Sequence, residues 1–245
     1  METTMRANTY DGITECYDLL MRAGYYEHGA MAEAADVILG ERASVLELGV
    51  GTGLFAQELI ATNADRNITG VDFTAPMLHI AEARVGGAVE LIEADVTEMD
   101  LGRTFDAAVS SGGVWVAIRE GDELLLGTHL FDAAEEVRGL RNVAEHLESD
   151  GLLLLSIQDM HEDFACELED DVVYSQRVTH SDTTDDHFTI EKEYAFTRDS
   201  HVLAEQTLEL GFYRAPLRDR ILRDAGFALD GADQEDRFVV CTKES

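Results

Sequence analysis

Between Val45 and Phe55 the chain reads VLELGVGTGLF, and no other run narrows its fold so far. A short apolar strand enters a turn with glycines at 49, 51 and 53, and a helix leaves it. Glycine at those positions permits backbone dihedrals closed to other residues and lets a ligand approach the main chain closely. The helix start beyond them presents N–H groups and a positive dipole end to a carboxylate or phosphate.

Periodicity predicts helices over Tyr10–Ala23 and His28–Leu39, followed by a regular alternation. Strands are expected at Ala43–Leu48, Ile68–Asp72, Val89–Glu93, Phe105–Ser110 and Leu152–Gln158, with helices at Leu54–Ala61, Ala75–Arg84 and Asp132–Leu147. Short apolar strands alternating with helices imply crossover units and a parallel sheet covered on both faces. Ligands of such sheets bind at the carboxyl ends of the strands, so function is expected just after Leu48, Val71, Ala94 and Ser110.

After Asp170 the polarity alternates through Val172–Ser181, Phe188–Thr197 and Val202–Phe212, joined by turns such as Asp182–Asp186, which predicts an antiparallel meander. Pro216–Ala225 reads as a helix and Arg237–Thr242 as a last strand. The expected fold is α/β, Rossmann-like and doubly wound. Its sheet is mostly parallel and seven-stranded, with the meander inserted after the fifth strand. The layout is a single domain: N-terminal helices in 1–40, a ligand-binding core in 41–160, a substrate-side insert in 170–213, and a closing helix and last strands in 214–245.

Three acids follow strands in this core. Glu47 lies two residues before the first glycine, where it suits a ligand carrying an ammonium group and would repel a pyrophosphate. Asp72 ends the second strand, placed to accept from two ribose hydroxyls; Thr74 before Ala75-Pro76 is the better helix cap, which leaves Asp72 for a ligand. Asp95 ends the third strand, where its carboxylate and the N–H of Val96 could read an adenine edge, although Asp95 and Glu98 also have capping-box spacing. A rival reading exists, because Gly51-Thr-Gly53-Leu-Phe-Ala56 also satisfies the relaxed dinucleotide fingerprint. Glu47 and the Asp95-Val96 pair argue against it.

The series Glu47-Leu-Gly-Val-Gly-Thr-Gly, Val71-Asp72, Ala94-Asp95-Val96 and Phe105-Asp-Ala-Ala-Val-Ser110 resembles class I methyltransferases from Ala43 to Gln158. The resemblance implies S-adenosylmethionine as cofactor, released as S-adenosylhomocysteine. It implies Gly49, Gly51 and Gly53 at the methionine moiety, Asp72 at the ribose, Asp95 and Val96 at the adenine, and Phe73 and Met77 flanking the adenine ring. Tyr17 and Ser110 are expected beside the same cofactor. Cys16-Tyr17-Asp18-Leu19-Leu20 resembles the lid helix of small-molecule N-methyltransferases. Arg177–Ser181 and Asp224–Phe227 extend that likeness to the amino-sugar and glycine types. The segment from Ser111 to Phe131 departs from the family, so the acceptor is not carried over.

On this reading His161 is the candidate base or orienter, and Trp115 a candidate in the acceptor pocket. Tyr25, Tyr26 and His180 are candidate substrate contacts. The expected reaction is in-line methyl transfer to a small molecule, at an amine nitrogen, with a hydroxyl acceptor as the alternative. A protein that binds the cofactor without turnover is a further reading. No metal is expected, since no His and acid pairs fall at ligand spacing. Cys16, Cys166 and Cys241 are odd in number and widely spaced, which suits isolated thiols.

An apolar content of 45% excludes a disordered chain. METTMRANTY lacks a secretory pattern and apolar stretches such as Leu152–Leu155 fall far short of the roughly 20 residues of a spanning helix, so a cytoplasmic protein with no membrane partner is expected. A homodimer is allowed. Fifty acids face eighteen bases, and the net charge of −32 repels phosphate backbones, which disfavours nucleic acid as a partner. Such a charge is either a merely well-solvated surface or an adaptation to high internal salt, where ions screen the self-repulsion. On the second reading the melting temperature climbs as KCl is raised; a melting temperature indifferent to KCl removes it.

Overall fold

The computed structural model describes residues 9–130, 132–181 and 184–244. The opening octapeptide, Phe131 and the first two residues of the Asp182–Asp186 turn lie outside the described residues. The alternating core is present: β1 (Ser44–Leu48), α3 (Leu54–Thr62), β2 (Asn67–Asp72), α4 (Ala75–Val85), β3 (Val89–Glu93), β4 (Phe105–Ser110), α5 (Ala133–Glu145) and β7 (Leu147–Asp159). Ahead of it come α1 (Thr14–Leu20), a π-helical turn Met21–Tyr25, and α2 (His28–Leu39). The helix expected over Tyr10–Ala23 starts later, at Thr14, tightens into the π-helical turn at Met21 without a break, and is ended by Gly24, in the left-handed region at φ 86°.

The central sheet runs β3-β2-β1-β4-β7, all parallel. It is completed by β13 (Phe238–Lys243), antiparallel to β7, and by β12 (Phe227–Ala232), which pairs with β13 after α6 (Leu217–Asp224). That is the mostly parallel seven-stranded sheet expected. Strand β7 then serves two sheets. Its residues 152–155 pair with β4, and 157–159 pair in parallel with β5 (Trp115–Glu120). Strand β5 opens a hairpin with β6 (Glu123–Thr128), and β6 joins β11 (His201–Tyr213). Beyond it lie β10 (His187–Arg198), β9 (Val173–Ser181) and β8 (Phe164–Glu167). The meander after the fifth parallel strand is as expected. The hairpin from Trp115 to Thr128, which inserts earlier and extends the meander, is not; its acidic turn hides two strands buried on both faces, with Trp115, Ala117 and Leu126 on one side and Ile118 and Leu125 on the other.

Side-chain alternation distributes the core. From β1 and β7, Leu46, Leu48, Leu153 and Leu155 pack towards α5 and α6; Val45, Leu152 and Leu154 pack towards α2 and α3. Glu47 shares the parity of Val45 and so faces the α2 and α3 side. The lid helix α1 lies on the meander, where Ile13, Leu20 and Met21 cluster with Tyr174, Tyr194, Phe196 and Leu208. No helix among the described residues is long and apolar enough to cross a membrane.

Trp115 corrects an expectation. Its ring is fully buried in the α5-side core, against Gly139, where an added Cβ would lie 3.0 Å from the indole. Its Nε1 donates to Glu136 Oε2 at 2.6 Å, which also accepts from the Thr128 hydroxyl at 3.1 Å. Residue 115 begins β5 with its side chain turned to the core, so the indole supports the fold and does not line an acceptor pocket. Burial pushes the Glu136 carboxyl up to about 7.

Replacing Trp115 with Phe should cost about 1–3 kcal/mol in urea unfolding, because Glu136 loses a buried donor. The Glu136 shift also sets a pH dependence. Its folded value lies above its unfolded value, so its contribution is complete at acid pH and is lost as pH rises towards 7. Glu136→Gln should therefore flatten stability between about pH 5 and 7; an unchanged pH slope contradicts the assignment.

Candidate active site

Strand β1 delivers the glycine turn against a second one. Gly49 has φ 71°, and a Cβ there would lie 2.8 Å from Gly113 Cα; a Cβ on Gly113 would overlap the Leu48 carbonyl oxygen. This contact brings the turn after β4 beside the turn after β1. Ser111 consequently donates to Glu47 Oε1 at 3.1 Å. The other oxygen, Oε2, is buried with no hydrogen-bond partner among the described residues. Burial, with the negative Asp72 nearby, raises the Glu47 carboxyl to about 8. A buried acid with an unpaired oxygen is an uncompensated acceptor, and a cation arriving there would relieve it.

Asp72 stands behind the same turn. Its Oδ2 accepts from the Gly51 N–H at 2.9 Å and its Oδ1 from the Thr74 N–H at 2.8 Å, while the Thr74 side chain makes no cap bond. The expected division, in which Thr74 caps and Asp72 is left over, is thus reversed. Asp72 ties the glycine turn to the start of α4. Burial raises its pKa despite these N–H groups.

Two small cavities meet here. One, of about 30 Å³, is bounded by Tyr17, Tyr26, His28, Glu47, Thr52 and the glycine turn. The other, of about 20 Å³, is bounded by Tyr10, Tyr26, His129, Gln158, His161, Tyr194 and Phe212. Tyr26 and Gly112 line both, so they form the partition. Each cavity has room for about one water. Tyr17 and Tyr26 wall the first cavity, and in this arrangement neither cavity admits anything larger. A wider groove of about 640 Å³ lies between Thr97–Met99 and α5, away from the glycine turn.

The lid is latched by charge. Asp18 on α1 accepts from the Thr52 hydroxyl at 2.8 Å and pairs with Arg84 of α4, which also donates to the Thr52 carbonyl at 2.9 Å. Beside the second cavity Tyr26 donates to Gln158 Oε1 at 3.2 Å. Burial lowers His161 to about 3, with the Lys192 charge adding to the effect, and lowers His129 to about 4. Both imidazoles are therefore neutral near pH 7.

Of the expected site residues, the structure brings Tyr17, Tyr26, Glu47, Gly49 and Gly51 to the first cavity and His161 to the second. Gly53 caps α3 at φ 79°. Several others are elsewhere. Ser110 is fully buried and its oxygen accepts the Trp115 N–H at 3.3 Å; the cavity residue is its neighbour Ser111. Asp95 Oδ1 accepts from the N–H and hydroxyl of Thr97, both at 2.8 Å, a turn-forming role. The Val96 side chain points into the core, which leaves the expectation for its backbone N–H untouched; Met77 is 3% exposed and Phe73 is half-buried. His180 is exposed on β9 beside Phe188 and lines neither cavity. Tyr25 sits one layer back, its hydroxyl held between Gln176 and Lys192.

Asp18, His28, Thr52, Ser111, His129 and Lys192, which the cofactor motifs do not single out, also stand at or behind these cavities. Ser111 had a signal, since Ser-Gly-Gly directly follows a strand end facing the glycine turn. The polar residues Asp18 and Thr52 are paired only by tertiary closure.

Residues 45–151 match the family described as a methyltransferase domain. The malonyl-[acyl-carrier protein] O-methyltransferase of Bacillus cereus is 30% identical over 148 residues, covering 55% of this chain and 49% of that protein. The chain spans about half the length of the relatives it matches. Among solved structures, the sugar N-methyltransferase KedS8 of Streptoalloteichus superposes with a TM-score of 0.68 at 23% identity, covering 94% of this chain and 93% of that one. The amino pentose methyltransferase CalS10 of Micromonospora echinaspora gives 0.67 at 20%, covering 93% and 96%. Residues 45–151 are thus similar to a methyltransferase domain, and the fold of the chain, meander included, is that of these solved structures.

Severing the latch with Asp18→Ala should expose the lid. Trypsin is expected to cut after Arg22 several-fold faster than in the parent chain, with the melting temperature nearly unchanged; equal cutting rates contradict the latch.

Proposed function

We propose that the chain is an S-adenosylmethionine-dependent methyltransferase acting on a small molecule, with an amine nitrogen as acceptor. The observation that carries this reading is Glu47, a buried carboxylate with one unpaired oxygen beside a glycine turn. The amino group of a methionine moiety is the cation that fits it, whereas a pyrophosphate would meet like charge. Glu47 and Ser111 would hold the amino group, the glycine turn the carboxylate, Asp72 the ribose, and Phe73 one face of the adenine. The cofactor supplies a methyl on a sulfonium, whose C–S bond breaks with its electron pair passing to sulfur.

What remains for the protein is positioning, exclusion of water and custody of one proton. Closure of Tyr17 and Tyr26 excludes water. Tyr26 and Gly112, common to both cavities, set the line between donor and acceptor. His161, neutral and lining the second cavity, is the residue able to take the proton that an amine sheds. Neighbours of the same whole-chain shape include a sugar N-methyltransferase and an amino pentose methyltransferase, which supports nitrogen as the acceptor atom. The Bacillus cereus relative is named for an oxygen acceptor, and it matches little more than half of this chain.

Calorimetric titration with S-adenosylhomocysteine and, separately, with NAD tests the cofactor. S-adenosylhomocysteine alone should bind, and Asp72→Ala should weaken it at least tenfold; binding of NAD alone overturns the reading. Because the free Glu47 carboxyl holds its proton to about pH 8 and a bound cation displaces it, affinity should rise with pH below that value. Glu47→Gln should abolish this rise, and a rise that survives the substitution would exclude Glu47 as its source.

A further inference from the structure

Strand β10 carries a buried stripe of Phe188, Ile190, Lys192, Tyr194 and Phe196. The only cation on that stripe is 1% exposed and forms no ion pair among the described residues. Lys192 Nζ donates to the Tyr25 hydroxyl at 2.8 Å and lies 3.4 Å from Nδ1 of His161. It stands 4.6 Å from the centroid of the Tyr194 ring and 5.3 Å from that of Tyr25. The Tyr25 hydroxyl hydrogen is committed to Gln176 Oε1 at 3.0 Å, which also accepts from Tyr174 at 2.8 Å. Gln176 in turn donates from Nε2 to the Glu162 carbonyl at 2.5 Å. Tyr25 can therefore only accept from Lys192, and the network fixes the amine in place.

We infer that Lys192 is a positioning residue for proton transfer, deciding through Nδ1 of His161 whether the other ring nitrogen can accept a proton. When Lys192 is an ammonium it must donate to Nδ1, so the single imidazole hydrogen sits on Nε2 and the ring cannot act as a base there. When Lys192 is a neutral amine it keeps one N–H on Tyr25 and accepts Nδ1–H with its lone pair. Nε2 is then bare. An amine nitrogen that has formed its new C–N bond carries a positive charge and a proton. That proton passes to Nε2, the Nδ1 proton passes to Nζ, and the charge ends on Lys192, balanced and one residue removed from the acceptor.

The groups facing Lys192 are consistent with this exchange. Tyr25 comes from the lid, Tyr194 from β10 itself, His161 from the segment after β7, and His129 from the segment after β6, which feels the lysine charge. No carboxylate is among them. Burial accordingly brings the amine down to about 7, within reach of both states. The tyrosines are held above their ordinary range and do not compete for the proton.

The inference rests on the methyl-transfer reading for its purpose, yet its test needs no cofactor or acceptor. Lys192 and Lys243 are the only lysines in the sequence, so protein labelled at the lysine side-chain nitrogen gives two signals, and Lys243→Gln assigns them. Histidine labelled in the ring reports tautomers, with His161→Gln to assign its resonances. Lys192 should titrate around pH 7, and over the same range His161 Nε2 should move from the protonated to the bare nitrogen position. In Lys192→Met that movement should disappear. A His161 tautomer that stays fixed while Lys192 titrates, or a Lys192 that remains charged above pH 9, overturns the inference. A purely structural lysine would change the melting temperature of the Met variant and leave the tautomer alone. Failure to bind S-adenosylhomocysteine would count against the cofactor reading and not against the lysine–histidine exchange.

Discussion

Two glycine turns touch, and the site is organised around that contact. Gly49 and Gly113 approach so closely that a methyl group on either would strike the other's backbone. The approach lets the chain leave β4, pass beside the β1 turn, and enter β5 on the far side of β7. It thereby sets Ser111 on Glu47 and puts Gly112 in the wall between the two cavities. The hairpin that follows extends the meander, and the meander carries the lid. One close backbone contact thus links the donor end of the sheet to everything that covers it.

The lid is held by opposite means at its two ends. Near Asp18 it is an ion pair with a hydroxyl, partly open to water, of a kind worth little by itself. Near Tyr25 it is a buried chain of hydroxyl, amide and amine, fully satisfied and costly to break. The first can release while the second persists. Opening about the Met21–Tyr25 turn, where Gly24 adopts a left-handed conformation, would admit a ligand without unseating Lys192.

The core was readable because its signals are local. Alternation in Val45–Leu48 and the run Leu152–Leu155 follow from burial on both faces, and the acid before the glycines follows from the ligand charge it must meet. Trp115 was misread because the side a strand residue faces depends on register, and the register of β5 is set by β6 and β7, far away in sequence. Lys192 had a legible signal that its surroundings obscure. Glu191-Lys192-Glu193 reads as a solvated charge run, but the period of two from Phe188 to Phe196 puts the lysine with the aromatics and the glutamates outside. Asp95 shows how a turn can claim part of such an acid, since its Oδ1 accepts from the N–H and hydroxyl of Thr97.

The charge of the whole protein sharpens what the acceptor cavity must do. With fifty acids in the chain, an ammonium would find a carboxylate almost anywhere on the surface. The second cavity nevertheless has none on its walls, only neutral imidazoles, hydroxyls, an amide and apolar side chains, with a lone amine behind them. Desolvating an ammonium there would go uncompensated, so an amine enters most favourably with its lone pair already free. The surface can gather cations from solution while the cavity accepts only their neutral form. On the proposed reading, methyl transfer would then make the positive charge that the cavity declined to admit, and the buried amine would receive the proton that removes it.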